Sequence, residues 1–227
     1  MKNLQKSIQI VRQNMRLSRG LVFTLSGLLV AGCMQSGPAW EAHFTARDRQ
    51  QLARPPYQQA WIPAEYQRQV VQYNRKEAPG SILVDTDERY LYYVLPGGKA
   101  IRYGAIVGED AQGWSGVALV GRKEEWPGWT PTEGERRRLG PLPNYVEGGA
   151  HNPMGARALY LYVGGKDTLY RIHGTNQPVL IGHAVSSGCI RLTNEDVIDL
   201  YSRVKRGAVV VVLGPKQGIV RAASAGT

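Results

Sequence analysis

The segment from Tyr170 to Leu192 contains a cysteine and a histidine in a setting that suits nucleophilic chemistry; it reads YRIHGTNQPVLIGHAVSSGCIRL. A thiol is mostly protonated near neutral pH, so Cys189 needs a base or a cationic neighbour before it can act as a nucleophile. His173 ends a strand-like stretch and is followed by Gly174-Thr175-Asn176, a turn composition that could return the imidazole to Cys189. The pattern predicts acyl transfer through Cys189, with His173 as acid and base.

Neighbours of Cys189 could serve the same reaction. Gly188 lets the backbone take a conformation in which the N–H groups of Gly188 and Cys189 point at one spot, as an oxyanion hole requires. Arg191 lies two residues beyond the nucleophile, where its guanidinium could bind a substrate carboxylate; a structural ion pair is the alternative. His183 is a rival candidate for the base, or for a second donor beside it.

The remaining histidines do not predict a metal site. His43 and His151 lack ligand spacing to another histidine, a cysteine or a pair of acids. No metal and no organic cofactor is expected, because a thiol, an imidazole and backbone donors suffice for acyl transfer. The sequence carries no phosphate-binding loop, dinucleotide fingerprint or nucleic-acid module, so no nucleic-acid partner is expected.

Short stretches of β-branched and aromatic residues, separated by turn residues, surround these candidates. They predict strands at Ser81–Asp85, Arg89–Leu95, Ala100–Val107, Val117–Val120, Ala158–Val163, Thr168–His173 and Ala208–Leu213.

One helix is predicted directly after the cysteine, with Thr193 as its cap and Lys205-Arg206-Gly207 as its end. Its apolar residues recur on one face, at Val197, Leu200, Tyr201 and Val204. The predicted fold class is therefore mainly β, with one helix after the Cys189 loop.

Two stretches show no sustained period. Residues 33–80 are rich in Gln, Arg, Pro and Ala, and they predict a tether or wrapping segment ahead of a domain at residues 81–214; residues 215–227 form a tail. The stretch around Trp114, Trp126 and Trp129 predicts a long irregular loop. Its tryptophans suit a groove wall or simple packing equally well.

The first 32 residues have the pattern of a signal peptide. Residues 1–20 are polar and basic, and residues 21–32 read LVFTLSGLLVAG, shorter than the roughly 20 apolar residues that a membrane-crossing helix needs. Leu29-Val30-Ala31-Gly32-Cys33 resembles the lipobox of bacterial lipoproteins, which implies cleavage before Cys33 and a lipid anchor on it. Met34 follows where that resemblance would want Asp for inner-membrane retention, which favours the periplasmic face of the outer membrane. A non-lipidated signal peptide and a retained anchor are the alternatives.

Composition indicates a folded domain, and the leader indicates that this domain is exported. The 227 residues are 43% apolar and include only 2 Cys. If lipid occupies Cys33, Cys189 has no intramolecular partner in a compartment where disulfides form, so it is either buried and inert or kept for chemistry. The formal charge of +10 falls to +5 without the leader, which indicates an ordinary solvated surface and only weakly an anionic partner such as a cell wall.

The candidate residues also carry a family resemblance. Ile172-His173-Gly174-Thr175, followed by Ser186-Ser187-Gly188-Cys189-Ile190-Arg191, resembles the catalytic signature of the L,D-transpeptidase (YkuD-like) family of bacterial cell-wall enzymes. Asn152-Pro153-Met154-Gly155 is similar to the Asn-Pro-Leu-Gly that often precedes this signature. The resemblance covers roughly Ser81 to Leu213 and implies a β-sandwich-like domain that acts on peptidoglycan stem peptides.

The resemblance implies a role for each matching residue. Cys189 would attack the carbonyl between the third residue of a stem tetrapeptide and its terminal D-Ala, leaving a thioester that an amine resolves. His173 would move the proton, and the main-chain carbonyl of Gly174 would orient it. Substrate would be held by Arg191, Ser186 and Ser187. The acceptor could be a second stem peptide, a D-amino acid or an outer-membrane protein, and carbapenem-type β-lactams would acylate the same cysteine.

One departure from the family and two further functions remain to be weighed. Ser187 stands where many members have His, which puts that histidine's role in doubt here and leaves His173 as the base. Water in place of the amine would make the protein an L,D-carboxypeptidase or amidase. A non-catalytic peptidoglycan-binding lipoprotein would not need Cys189 at all.

Overall fold

The computed structural model describes residues 41–108, 115–185 and 188–215. The predicted leader, Cys33, Trp114, Ser186, Ser187 and the tail beyond residue 215 lie outside the described residues. No helix in the described ranges combines the length and apolar character that a membrane crossing requires.

The described chain is mainly β, as predicted. Its strands are β1 Gln69–Gln72, β2 Ile82–Asp85, β3 Tyr90–Leu95, β4 Lys99–Gly104, β5 Val107–Gly108, β6 Gly116–Glu125, β7 Arg157–Val163, β8 Lys166–His173, β9 Ala184–Val185, β10 Ile190–Arg191 and β11 Val209–Leu213. The helices are α1 Ala46–Leu52, α2 Glu133–Leu139 and α3 Asn194–Arg203, with single 3₁₀ turns at Ala64–Tyr66 and Pro178–Leu180.

One mixed sheet of nine strands contains most of these elements, in the order β1-β4-β3-β2-β11-β6-β7-β8-β10. The pairs β11–β2 and β10–β8 are parallel, and the remaining pairs in this sheet are antiparallel. Strands β5 and β9 form a separate parallel pair. The parallel pairing of β10 with β8 matters most for function, because it joins the cysteine segment to the histidine segment.

Each stretch predicted to be a strand contains one. The stretch Ala100–Val107 is divided, because β4 ends at Gly104, where a side chain would collide with the backbone of Tyr66. The backbone N–H of Ile106 donates to the carbonyl of Arg191, and the N–H of Arg191 donates to the carbonyl of Ile106. These two hydrogen bonds connect the segment after β4 to β10.

The predicted helix after the cysteine is α3, and Thr193 caps it by accepting a bond from the N–H of Asp196. Val197 and Leu200 are buried in the main core, together with Ile172 and Ile190. Those two residues adjoin His173 and Cys189 in the chain, so the core fixes the backbone on both sides of the candidate site.

Residues 41–80 contain regular structure that the sequence pattern did not predict. Helix α1 reads ARDRQQL and begins with a reciprocal capping box between Thr45 and Asp48. Strand β1 pairs along β4 and extends the sheet. The helix escaped prediction because it has no apolar stripe; Asp48, a charged residue, is its buried member.

The tryptophan-rich stretch contains the other unpredicted helix. We call residues 126–156, which connect β6 to β7, the lid segment. Helix α2 lies within it and begins with a capping box between Thr132 and Glu135. Trp126 is buried, and its indole N–H donates to Asp48, whereas Trp129 lines a cavity. Trp126 is thus a packing residue and Trp129 is part of a groove wall, the two alternatives that the sequence left open.

Candidate active site

The pairing of β8 with β10 brings the candidate residues to one face. Ile190 lies opposite Ile172, and Arg191 lies opposite His173. Since side chains alternate along a strand, Arg191 and His173 project to the same face. The backbone N–H of Arg171 donates to the sulfur of Cys189, which places the cysteine one step back in the same register. His173, Cys189, Arg171 and Arg191 all line one cavity of about 580 Å³.

The imidazole of His173 is hydrogen-bonded to the main-chain carbonyl of Gly174. Nδ1 lies 2.7 Å from the carbonyl oxygen of Gly174. A carbonyl can only accept, so Nδ1 carries the proton and the lone pair of the neutral ring is on Nε2. This is the tautomer that can take a proton from a thiol.

Burial keeps this imidazole neutral. Burial, followed by the charge of Arg191, lowers the pKa of His173 to about 3, although the carbonyls of Gly174 and Met154 act in the opposite direction. At neutral pH, the ring is therefore a base rather than a cation.

The thiol of Cys189 is also held in its neutral form. Burial raises its pKa, while the N–H of Arg171 and the charges of Arg171 and Arg191 favour the thiolate. The resting site is therefore a neutral thiol and a neutral imidazole in one cavity, so a nucleophilic role for the sulfur would require its proton to move during the reaction.

Close packing of glycine backbones holds the Gly174 carbonyl in place. A Cβ on Gly174 would lie 2.3 Å from Asn194 Oδ1, and one on Gly155, which has φ +62°, would lie 2.2 Å from the same atom. Asn194 also accepts from the N–H of Ala156 and donates to the carbonyl of Thr175. The backbone at Gly155 and at Gly174 therefore meets around one buried amide, which leaves no room for side chains.

The Asn152-Pro153-Met154-Gly155 motif builds the other wall beside the histidine. Asn152 is buried; its amide donates to the carbonyls of Val146 and Glu147, and its oxygen accepts from the N–H of Met154. This turn sets the Met154 carbonyl near His173. The resemblance singled out these residues, and the hydrogen bonds give their physical purpose.

Arginines dominate the charge of the cavity. Its described lining includes Arg138, Arg171 and Arg191 against one carboxylate, Glu135. Arg171 is fixed by two bonds to Asp167, at 2.7 and 2.9 Å, and stacks on the ring of Tyr160. The cavity suits a substrate with free carboxylates. Sequence reasoning missed Arg171, although its position two residues before His173 on a strand would have placed it on the same face.

Other predicted residues have less direct outcomes. Gly188 lines the cavity beside Cys189, and the use of their N–H groups as an oxyanion hole stays a prediction. His183 is exposed and is not among the cavity's described lining residues; its carbonyl accepts from the N–H of Val107. His43 Nε2 lies 3.8 Å from Asp199 Oδ1. Among the described residues, no group of three or more His, Cys, Asp or Glu could hold a metal ion.

Comparison with known proteins fits this geometry. The L,D-transpeptidase catalytic domain (YkuD) matches residues 79–212, more than half of the chain. The chain belongs to this family. The probable L,D-transpeptidase ErfK/SrfK of Escherichia coli (strain K12) is 38% identical over 141 residues, covering 58% of this chain and 43% of that protein. The probable L,D-transpeptidase YbiS of the same strain is 40% identical over 138 residues, covering 57% and 43%.

A solved structure from Brucella melitensis is also similar to this chain. It is 44% identical, covers 67% of this chain and 96% of its own, and has a TM-score of 0.46. That protein is named a probable carnitine operon oxidoreductase, CaiA. The L,D-transpeptidase domain described here spans less than half the length of the curated E. coli relatives.

Proposed function

We propose that the protein is an L,D-transpeptidase that acts on peptidoglycan stem peptides through a Cys189 thioester. The observation that supports this most directly is the neutral His173, whose Nδ1 is bound to the Gly174 carbonyl in the cavity that Cys189 also lines. A thiol without such a base would stay protonated and unreactive toward an amide.

In the proposed acylation, the sulfur of Cys189 attacks the carbonyl carbon between the third stem residue and the terminal D-Ala. The thiol proton passes to Nε2 of His173 as the S–C bond forms. The N–H groups of Gly188 and Cys189 stabilise the oxyanion. The C–N bond then breaks, the D-Ala amine takes the proton from His173, and an acyl thioester remains.

In the proposed second step, an amine attacks the thioester carbonyl and transfers a proton to His173. The new C–N bond forms, the C–S bond breaks, and the sulfur recovers the proton. Water in place of the amine would release a tripeptide instead, as in the L,D-carboxypeptidase or amidase alternative. The lid segment carries Trp129, Glu135 and Arg138 at the cavity wall, and we expect it to set this partition.

The cavity charge is the reason to expect a stem peptide as donor. Stem peptides present several free carboxylates, and Arg191 lies directly opposite the base. We propose that Arg191 binds a donor carboxylate and thereby fixes the scissile carbonyl over Cys189.

We also propose export of the chain and lipidation at Cys33, with the anchor at the periplasmic face of the outer membrane. The support is the leader sequence LVFTLSGLLVAG before Cys33. Radiolabelled palmitate should enter the full chain and not a Cys33→Ser variant. Membrane fractionation would then locate it, and label in both proteins would contradict lipidation at Cys33.

The reaction is tested by product analysis. The full chain in detergent is incubated with disaccharide tetrapeptide, with and without a free D-amino acid, beside a Cys189→Ala control, and products are analysed by mass spectrometry. Cross-linked dimer or exchanged D-residue, absent from the control, would support transpeptidation. Tripeptide alone would establish the hydrolase alternative. Unchanged substrate with both proteins would favour a binding lipoprotein.

A further inference from the structure

Helix α1 lies before the matched family region, yet it contacts the base of the lid segment at both ends. Trp126 donates its indole N–H to Asp48 Oδ1 at 2.9 Å. From the other end of the segment, the N–H of Ala150 donates to Gln51 Oε1 at 3.0 Å, and Arg47 donates to the Gly148 carbonyl at 3.3 Å.

The strongest of these contacts is a buried ion pair. Arg157 donates to both carboxylate oxygens of Asp48, at 2.9 and 2.6 Å, and the two side chains are 2% and 0% exposed. The same guanidinium donates to the carbonyl of Ala156 at 2.8 Å. Burying both charges costs desolvation free energy, so the contribution of this ion pair lies in the geometry that it imposes rather than in net stability.

Two hydrogen bonds connect the backbone of Arg157 to the ring of His173. The carbonyl of Arg157 accepts the N–H of Gly174 at 3.0 Å, and the carbonyl of Gly174 accepts Nδ1 of His173. A second connection comes from Tyr57, whose hydroxyl accepts from the amide of Asn194, the group around which Gly155 and Gly174 meet. Residues 41–57 thus touch both supports of the carbonyl that selects the tautomer of the base.

We propose that Asp48 is a positioning residue of the active site: through Arg157 it fixes the Gly174 peptide and so holds His173 buried, with Nε2 as the free base. The inference rests on the proposed function only in assigning His173 as that base. The segment ahead of the family domain is therefore part of the catalytic apparatus and more than a tether.

The test needs a variant that removes the charge and keeps the shape, and Asp48→Asn does so. Its matched control is Asp85→Asn, because Asp85 is likewise buried and is paired with an arginine from the segment ahead of the family domain, Arg75, at 3.3 Å. Asp85 is not among the described residues lining the cavity. If Asp48→Asn fails to fold, the double variant Asp48→Leu/Arg157→Met removes both buried charges together and serves in its place.

The main measurement is the titration of His173 in the full chain in detergent, by NMR with labelled histidine. His43, His151 and His183 are exposed, so burial distinguishes the His173 signal from theirs. The charges that face the site are Arg171 and Arg191 from the strands and Glu135 from α2. None of them is altered, so a change in the titration reports on the position and burial of the ring.

We expect the His173 midpoint to rise by at least about one pH unit in Asp48→Asn, because a loosened Gly174 peptide admits water. We expect kcat at pH 7 to fall about tenfold, with KM changed less than about twofold. The Asp85→Asn control should keep the wild-type midpoint and kcat. A folded Asp48→Asn or double variant with the wild-type midpoint and kcat would overturn the inference. A shifted midpoint in a protein whose wild type lacks transpeptidase activity would support the positioning role and contradict the proposed reaction instead.

Discussion

At the scale of single residues, the resting state of Cys189 and His173 is a neutral pair. Many cysteine enzymes hold a thiolate before substrate arrives, but here burial opposes both charges. Slow reaction with a simple thiol reagent is therefore compatible with a competent nucleophile, and it does not by itself indicate a binding protein.

The first prediction concerns this neutral thiol. Alkylation of Cys189 by iodoacetamide at pH 7 should be at least several-fold slower than that of free cysteine, because the raised pKa reduces the thiolate fraction. The rate should keep rising above pH 9. Mass spectrometry across a pH series, with Cys189→Ala as the blank, measures it; a rate that is already constant at pH 7 would indicate a preformed thiolate and contradict the neutral pair.

The second prediction concerns Arg191. Arg191→Gln should lower kcat/KM for the tetrapeptide donor by about 10- to 150-fold, since a hydrogen bond to a charged group is worth about 1.5–3 kcal/mol. Arg191→Lys should recover part of the loss, because the charge remains without the planar fork. Donors with amidated carboxylates provide the control: if both variants lose equally on free and amidated donors, Arg191 does not bind a donor carboxylate.

At the scale of elements, two residues of the cavity wall lie on α2, a short helix with few sources of stability. It has seven residues, and none of them is buried. Its capping box supplies a large share of its local stability, because an isolated helix of this length is marginal. The lid segment around it is therefore the part of the cavity wall that is easiest to loosen.

The third prediction uses that weakness. Thr132→Ala should cost about 1 kcal/mol locally and increase the ratio of tripeptide to transpeptidation product, because a frayed α2 admits water to the thioester. Product ratios by mass spectrometry measure the effect. Thr193→Ala, which removes the cap of α3, is the matched control and should instead lower the stability of α3. An unchanged ratio in Thr132→Ala would show that α2 does not exclude water.

At the scale of the whole molecule, two groups with strongly shifted pKa values, buried His173 and half-buried Asp196, give stability opposite dependences on pH. His173 has its pKa lowered to about 3, so between about pH 3 and pH 6.5 the unfolded chain binds more protons and stability falls as pH falls. Burial raises the pKa of Asp196 to about 7, so the folded chain binds more protons there and stability is lost as pH rises toward 7. The two effects overlap between about pH 4 and pH 6.5 and largely cancel.

The fourth prediction separates these effects. Near pH 5, His173→Asn should remove a slope of up to about 1.4 kcal/mol per pH unit that favours higher pH, and Asp196→Asn should remove one of the opposite sign. Denaturant unfolding at pH 4, 5, 6 and 7 measures the free energy of unfolding of each variant. Equal slopes in both variants and the wild type would show that neither group is perturbed.

The sequence alone determined the parts of this protein that depend on near neighbours in the chain. The strand-forming stretches and the capped helix after Cys189 follow from local composition and spacing, and they predicted a mainly β fold. The candidate site around His173 and Cys189 followed from residue types near each other in the chain and from the resemblance of their motifs to a known family. Helix α1 escaped because its stability comes from one buried carboxylate rather than from an apolar stripe.

Only the tertiary structure decided the protonation states and the hydrogen bonding of the candidate site. The tautomer of His173 follows from its bond to Gly174, and that carbonyl is held through Arg157 by Asp48, more than a hundred positions earlier in the chain. The pKa values of the thiol and the imidazole follow from burial and from arginines on paired strands. Hydrogen bonds and desolvation depend on distances in space, and no periodicity along the chain records which distant residues will meet.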